Sequence, residues 1–176
     1  MEACASAHHW SRQLQALGHT VRLMPPAYVK PYVKRQKNDV IDAEAICEAV
    51  TRPTMRFVPT KTTEQQSALV LHRTRHLLMR QQTSVINAIR AHLAEFGFVA
   101  PVGRNGVEEL LRIVRDGGDE RLPELARACV AALDTQLRTL KAQILHFDRM
   151  IMAWHRSNRM SRRSGRVNAM SPNDHP

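Results

Sequence analysis

Acidic residues are scarce in this chain. Against 26 Lys+Arg stand 16 Asp+Glu, which leaves a net charge of +10 over 176 residues and a pI near 10.5. A single-sign excess of that kind implies an anionic partner, nucleic acid first and a membrane surface second. No apolar run approaches the roughly 20 residues of a spanning helix, and the N-terminus lacks the charged-then-apolar pattern of a secretory leader. The expected setting is therefore cytoplasmic, with no membrane partner. Cysteine is also sparse. Cys4, Cys47 and Cys129 lie far apart with no CxxC, which leaves out a zinc ribbon and a disulfide framework and suits reduced, buried thiols. There is no internal repeat, no glycine-rich phosphate cradle, no HExxH and no GxSxG, so the best-known nucleotide-binding, metalloprotease and serine-hydrolase signatures are absent.

What is present centres on residues 34–50, KRQKNDVIDAEAICEAV. Asn38 is a good N-cap, and Ala43, Ala45, Ile46, Ala49 and Val50 continue a helix with an apolar stripe. Asp39 and Asp42, spaced i, i+3, fall on one face of its first turn. Two carboxylates there, directly after Lys34, Arg35 and Lys37, suit a hard divalent cation and a phosphate ester. Acids in a first turn also complement the helix dipole of any ordinary helix, so both readings stand at this point.

The flanking chain supplies a pattern of elements. A short apolar start, Met1 to Cys4 with Glu2 its sole charge, looks like the end of a strand. Ser6 to Gly18 has a helical pattern carried by Trp10, Leu14 and Leu17, with Gly18 placed for a left-handed C-cap, and Thr20 to Met24 alternates like a strand. Strand, helix, strand is half of a layered α/β domain. Pro25, Pro26 and Pro31 forbid a regular helix next, so Tyr28, Lys30, Tyr32, Lys34, Arg35 and Lys37 interleave aromatic and basic groups on a broken loop fit to track a nucleic-acid backbone. Met55 to Val58 follows as a short extended link.

From Thr62 a long helix runs to Phe96, opened by a Thr62/Gln65 capping box and stopped by Gly97. Leu71, Leu78, Val85, Ile89 and Phe96 form its seam, broken by Arg75, Gln82 and His92. His72 and His76 stand at i, i+4 without an acidic or cysteine partner, a poor metal pair. A shorter helix spans Val107 to Val114, and Asp116-Gly117-Gly118-Asp119 breaks the chain. The last helix begins near Pro123. Its seam, Leu133, Leu137, Leu140, Ile144, Phe147, Ile151 and Trp154, alternates steps of four and three with no polar interruption, a coiled-coil pattern. The two long helices can close as an antiparallel hairpin or pair with those of another copy. Beyond Arg156 a basic tail loses all periodicity.

With these stretches laid out, the chain resembles the DEDD-type insertion-sequence transposases of the IS110 family and its IS1111 branch. MEACASAHHW, LGHTVRLMPPAYVKPYVKRQKNDVIDAEAICEAV, MRFVPTKTTEQQSALVLHRTR and the long heptad helix through MAWHRSN keep that family's order and register over residues 1 to 160. The resemblance implies α/β plus α architecture: part of a RuvC/RNase H-like domain over residues 1–60, a helical coiled-coil region over 61–157, and a basic disordered, frameshifted tail over 158–176. It implies that Glu2, Asp39 and Asp42 are three of the four acids that bind Mg²⁺ and cut DNA, and that Lys30, Lys34, Arg35 and Lys37 meet nucleic acid. It implies DNA and a guide RNA as partners and self-association through the coiled coil. Relative to the family pattern, the strand with the first aspartate and the domain with the serine nucleophile are missing. Ser161, Ser164 and Ser171 do not match that serine. The expectation is thus a copy truncated at both ends and inactive. The alternative is a non-catalytic basic coiled-coil fragment that binds nucleic acid and associates with full-length transposase.

Overall fold

The computed structural model describes residues 1–33 and 38–157, apart from the side chain of Arg104. These residues are mostly helical, with almost no strand. The helices are α1 (Ala7–Ala16), α2 (Pro26–Val29), α3 (Asp39–Val50), α4 (Thr63–Ala94), α5 (Arg104–Asp116) and α6 (Glu124–Ser157), with a 3-10 turn at Lys30–Tyr32. None of them is long and apolar enough to cross a membrane. The chain divides into two compact units, Met1–Ala68 and a second that begins at Leu69.

In the first unit, the expected strands contract to two single bridges. Glu2 pairs with Met24 in parallel and Leu23 with Val58 in antiparallel fashion. Ala3 N–H donates to the Met24 carbonyl at 2.8 Å and Met24 N–H to the Met1 carbonyl at 2.9 Å, while Val58 N–H donates to Leu23 from the other side at 2.7 Å. Residues 23–24 are thus the middle of a three-segment arrangement. Leu23 and Met24 are both buried, and consecutive residues of an extended segment point to opposite faces, so both faces of this middle segment are covered. The pairing goes no further because each neighbour supplies a single bridging residue, Glu2 on one side and Val58 on the other.

Helix α1 closes with a Schellman pair: His19 N–H reaches the Leu14 carbonyl and Gly18 N–H that of Gln15, both at 3.0 Å, with Gly18 at φ +87°. Its buried residues are Ala7 and Ser11. The expected stripe is the wrong face, since Trp10 is 54% and Leu17 75% exposed. Small Ala7 and Ser11 let the helix axis come close to its neighbours, which the larger residues would prevent. The proline-rich segment is not a broken loop throughout. Pro26 starts α2 and Pro31 sits in the 3-10 turn, positions where a missing N–H has no helical partner to lose. Helix α3 then buries Ala45 and Ala49 against Met24 and Val29, with Tyr32, Ile46, Val50 and Met55 around them.

The second unit is a helical assembly with a large aliphatic core. Val85, Ile89 and Leu93 of α4 meet Val107, Leu110, Leu111 and Val114 of α5 and Val130, Leu137 and Leu140 of α6, along with Phe98 and Leu122. At the start of α4, still within the first unit, the Thr62/Gln65 capping box forms, each backbone N–H meeting the other's side chain at 3.0 and 3.1 Å. The seam of α6 is legible, for all seven of its expected residues are buried or half-buried. His72 meets the Trp154 ring edge-on at 6.5 Å, and Arg75 pairs with Asp148. Residue numbers rise along α4 as they fall along α6, so the two helices run antiparallel within one chain.

Polar side chains tie the connections down. Arg90 donates to the carbonyls of Ala100, Pro101 and Gly103, and Arg127 to those of Val114 and Asp119. Gly106 packs so closely that an added Cβ would lie 2.0 Å from the Pro101 carbonyl oxygen. Asp134, 2% exposed on α6, receives a two-pronged contact from Arg115 of α5, both bonds at 2.9 Å, and a third from Arg138 at 2.8 Å. Those guanidinium contacts, Arg115 foremost, hold its carboxyl below the usual range against the opposing effect of burial. The cysteine expectation is corrected: Cys4, Cys47 and Cys129 are all exposed free thiols.

Candidate functional site

The start of α3 takes the form its sequence demands. Asn38 is extended, and its side-chain oxygen accepts from Ile41 N–H at 2.9 Å. Asp39 and Asp42 occupy the first turn. Asp39 is exposed, while Asp42 is half-buried, one and two turns ahead of buried Ala45 and Ala49. Among the described residues no cation pairs with either. Glu2 sits on the edge segment bridged to Met24. Bridge partners share a face of a sheet, and Met24 packs on α3, so Glu2 lies on the α3 side of residues 23–24.

The three acids do not converge further. Among the described residues no group of three or more His, Cys, Asp or Glu side chains could hold a metal ion. Asp39 and Asp42 offer two oxygen-donor side chains from one turn, fewer protein ligands than a closed site for a hard cation uses.

Of the expected nucleic-acid contacts, Lys30 is exposed in the 3-10 turn. Lys34, Arg35 and Lys37 lie outside the described residues, as does the basic tail from residue 158. The two tyrosines part company. Tyr28 is exposed, whereas Tyr32 packs on the small core and carries the Arg52 guanidinium 5.4 Å from its ring centre.

A polar cluster escaped the sequence reading. From α1, Ser11 shares a 2.6 Å hydrogen bond with the Thr60 hydroxyl, and Arg12 donates to the Lys61 carbonyl at 2.7 Å. His8, one turn before Arg12, accepts from Lys61 N–H at Nδ1 at 3.1 Å. Burial, then the charges of Lys61 and Arg12, lower the affinity of His8 for a proton. The only trace in the sequence was the i, i+3, i+4 spacing of these three α1 residues, and nothing local announced partners some 50 residues away.

A family model described as a DEDD transposase of the IS110 type matches residues 1–98, more than half of the chain and all of the first unit. The chain belongs to the IS110 transposase family. Relatives that carry transposase names agree. A Sinorhizobium fredii protein is 46% identical over 172 residues, 98% of this chain and 44% of its own length. One from Pseudomonas aeruginosa, named a family 20 transposase, is 44% identical over 173 residues, 98% of this chain and 51% of its own length. The transposase of insertion sequence element IS1328 from Yersinia enterocolitica is 40% identical over 149 residues, 85% of this chain and 44% of its own length. This IS110-family chain therefore spans about half the length of the relatives it matches. No solved structure matches it.

Proposed function

We propose that this chain serves DNA transposition, as a segment of an insertion-sequence transposase whose acids Asp39 and Asp42, with Glu2 nearby in the fold, face a DNA phosphate. The observation that carries the reading is the start of α3: a side-chain-capped helix end with both aspartates in its first turn, inside the family-matched residues 1–98. The parallel Glu2 to Met24 bridge closed across α1 is a βαβ unit in miniature and supports a RuvC-like core. Mg²⁺ is the cation such carboxylates prefer, and in phosphoryl transfer a divalent ion stabilises charge on the reacting oxygens. The described donors fall short of a complete shell for it. DNA and a guide RNA are the partners, with Lys30 and its basic neighbours Lys34, Arg35 and Lys37 contacting the backbone. Exposed Val70 and Leu77 of α4 and Leu145 and Met152 of α6 support self-association through coiled-coil pairing of the long helices.

The test is cleavage of labelled DNA with and without Mg²⁺, by the chain itself and by Asp39→Asn and Asp42→Asn. Mg²⁺-dependent cleavage reduced to background in both variants supports the site. Cleavage unchanged by Asp39→Asn removes it. The net charge of +10 supports a second reading, a non-catalytic nucleic-acid-binding module that associates with full-length transposase. Salt-sensitive binding without cleavage is its signature.

A further inference from the structure

The His8 cluster contains a hydrogen-bonding conflict. A neutral imidazole has one ring nitrogen that accepts and one that donates. Nδ1 of His8 already accepts from Lys61 N–H, yet the Lys61 ammonium Nζ also stands 3.1 Å from Nε2 of the same ring. An ammonium has three donors and no acceptor. With Nδ1 used, Nε2 carries the hydrogen, and two donors face each other at contact distance. The alternative tautomer moves the conflict to Nδ1 and leaves it unresolved. Protonating the ring adds a third positive charge beside Lys61 and Arg12. Both charges that act on the ring are positive, and among the described residues no carboxylate pairs with Arg12 or Lys61.

An oxygen that accepts from Nε2–H and Nζ together resolves this arrangement, and the charges of Lys61 and Arg12 with no carboxylate beside them favour an anionic one. We propose that His8, Lys61 and Arg12 form a seat for a backbone phosphodiester of nucleic acid, separate from the acids of α3. The seat is built, because Arg12 is tied to the Lys61 carbonyl and Ser11 to Thr60 on either side of it. The Arg12 guanidinium and the Lys61 backbone are therefore held in place before a ligand arrives, which lowers the ordering cost of binding. The inference rests on the nucleic-acid reading above and adds a named contact to it.

The test measures binding of a labelled DNA duplex and an RNA hairpin by fluorescence anisotropy over a range of salt, using the full chain, Lys61→Gln and Lys61→Arg. Lys61→Gln keeps the backbone N–H that His8 uses, and circular dichroism checks that its helices persist. The expected result is affinity several-fold weaker for Lys61→Gln, with the slope of log affinity against log salt reduced by about 1, and recovery in Lys61→Arg. Loss confined to DNA or to RNA names the source of the phosphate. If the chain binds and Lys61→Gln matches it in affinity and slope, the seat is overturned while the nucleic-acid reading survives. In that case, a shift of the His8 ring resonances on adding inorganic phosphate assigns the cluster to a free anion. If the chain binds neither DNA nor RNA at low salt, both readings fall.

Discussion

The two units are held together in different ways. The second buries twelve hydrophobic side chains in one cluster, drawn from three helices and their connections. The first has a cluster of four, two of them alanines, and joins its segments with two lone bridges and the contacts of His8, Ser11 and Arg12 to residues 60 and 61. A helix satisfies its own backbone, so a helical unit needs little beyond an apolar face to bury. A sheet satisfies its backbone only through neighbouring segments, and here each neighbour offers one residue. Stability that is distributed over aliphatic contacts tolerates a change of pH, whereas stability that depends on a few polar contacts is exposed to it.

Three experiments test that contrast. The largest effect is expected from Leu137→Ala, which empties a fully buried position of α6 and should cost the second unit about 2–5 kcal/mol in denaturant unfolding. Amide exchange resolved by region should accelerate in α5 and α6 and stay unchanged in α3. Equal acceleration in both units would show one cooperative structure. Next is Gly106→Ala. Its methyl group would press on the Pro101 carbonyl, and the displacement should cost about 1–3 kcal/mol, read as a lower midpoint with an unchanged slope. An unaltered midpoint would show that the loop before α5 yields freely.

The smallest effect is the most selective. His8 has a folded proton affinity below its unfolded one, set by burial and by Lys61 and Arg12. Its contribution is therefore present above the unfolded pKa of about 6.5 and lost as pH falls toward the folded value. Asp134, held down by Arg115 and Arg138 with Glu108 across the shared Arg115, obeys the same sign in the carboxylate range. Acidification should thus loosen the first unit before the second. His8→Gln should remove the earlier step, and protection factors in α1 that stay constant between pH 7 and 5 would overturn this.

Some of this was legible without coordinates. The Asn38 cap, the Thr62/Gln65 box and the glycine stops at Gly18 and Gly97 all form as expected, since each involves residues within about five positions of one another. The apolar seam of α6 was readable because seven residues repeat without interruption. Trp10 and Leu17 misled for the converse reason. Periodicity identifies a stripe on a short helix, but the neighbouring surface decides whether that stripe or another is covered.

Local sequence was enough for α1, α3 and the two long helices, for the caps at Asn38 and Thr62, for the basic character of the chain and for the pair of acids on the first turn of α3, but not for α2. These depend on local sterics, hydrogen bonds that span one turn, and a sum of charges. Long-range packing settles which face of α1 is buried, that the strands shrink to bridges, that Asp134 sits beneath Arg115, and that His8 meets Lys61 from 53 residues away. Those outcomes depend on which surfaces the chain path brings together, and no local pattern encodes that path.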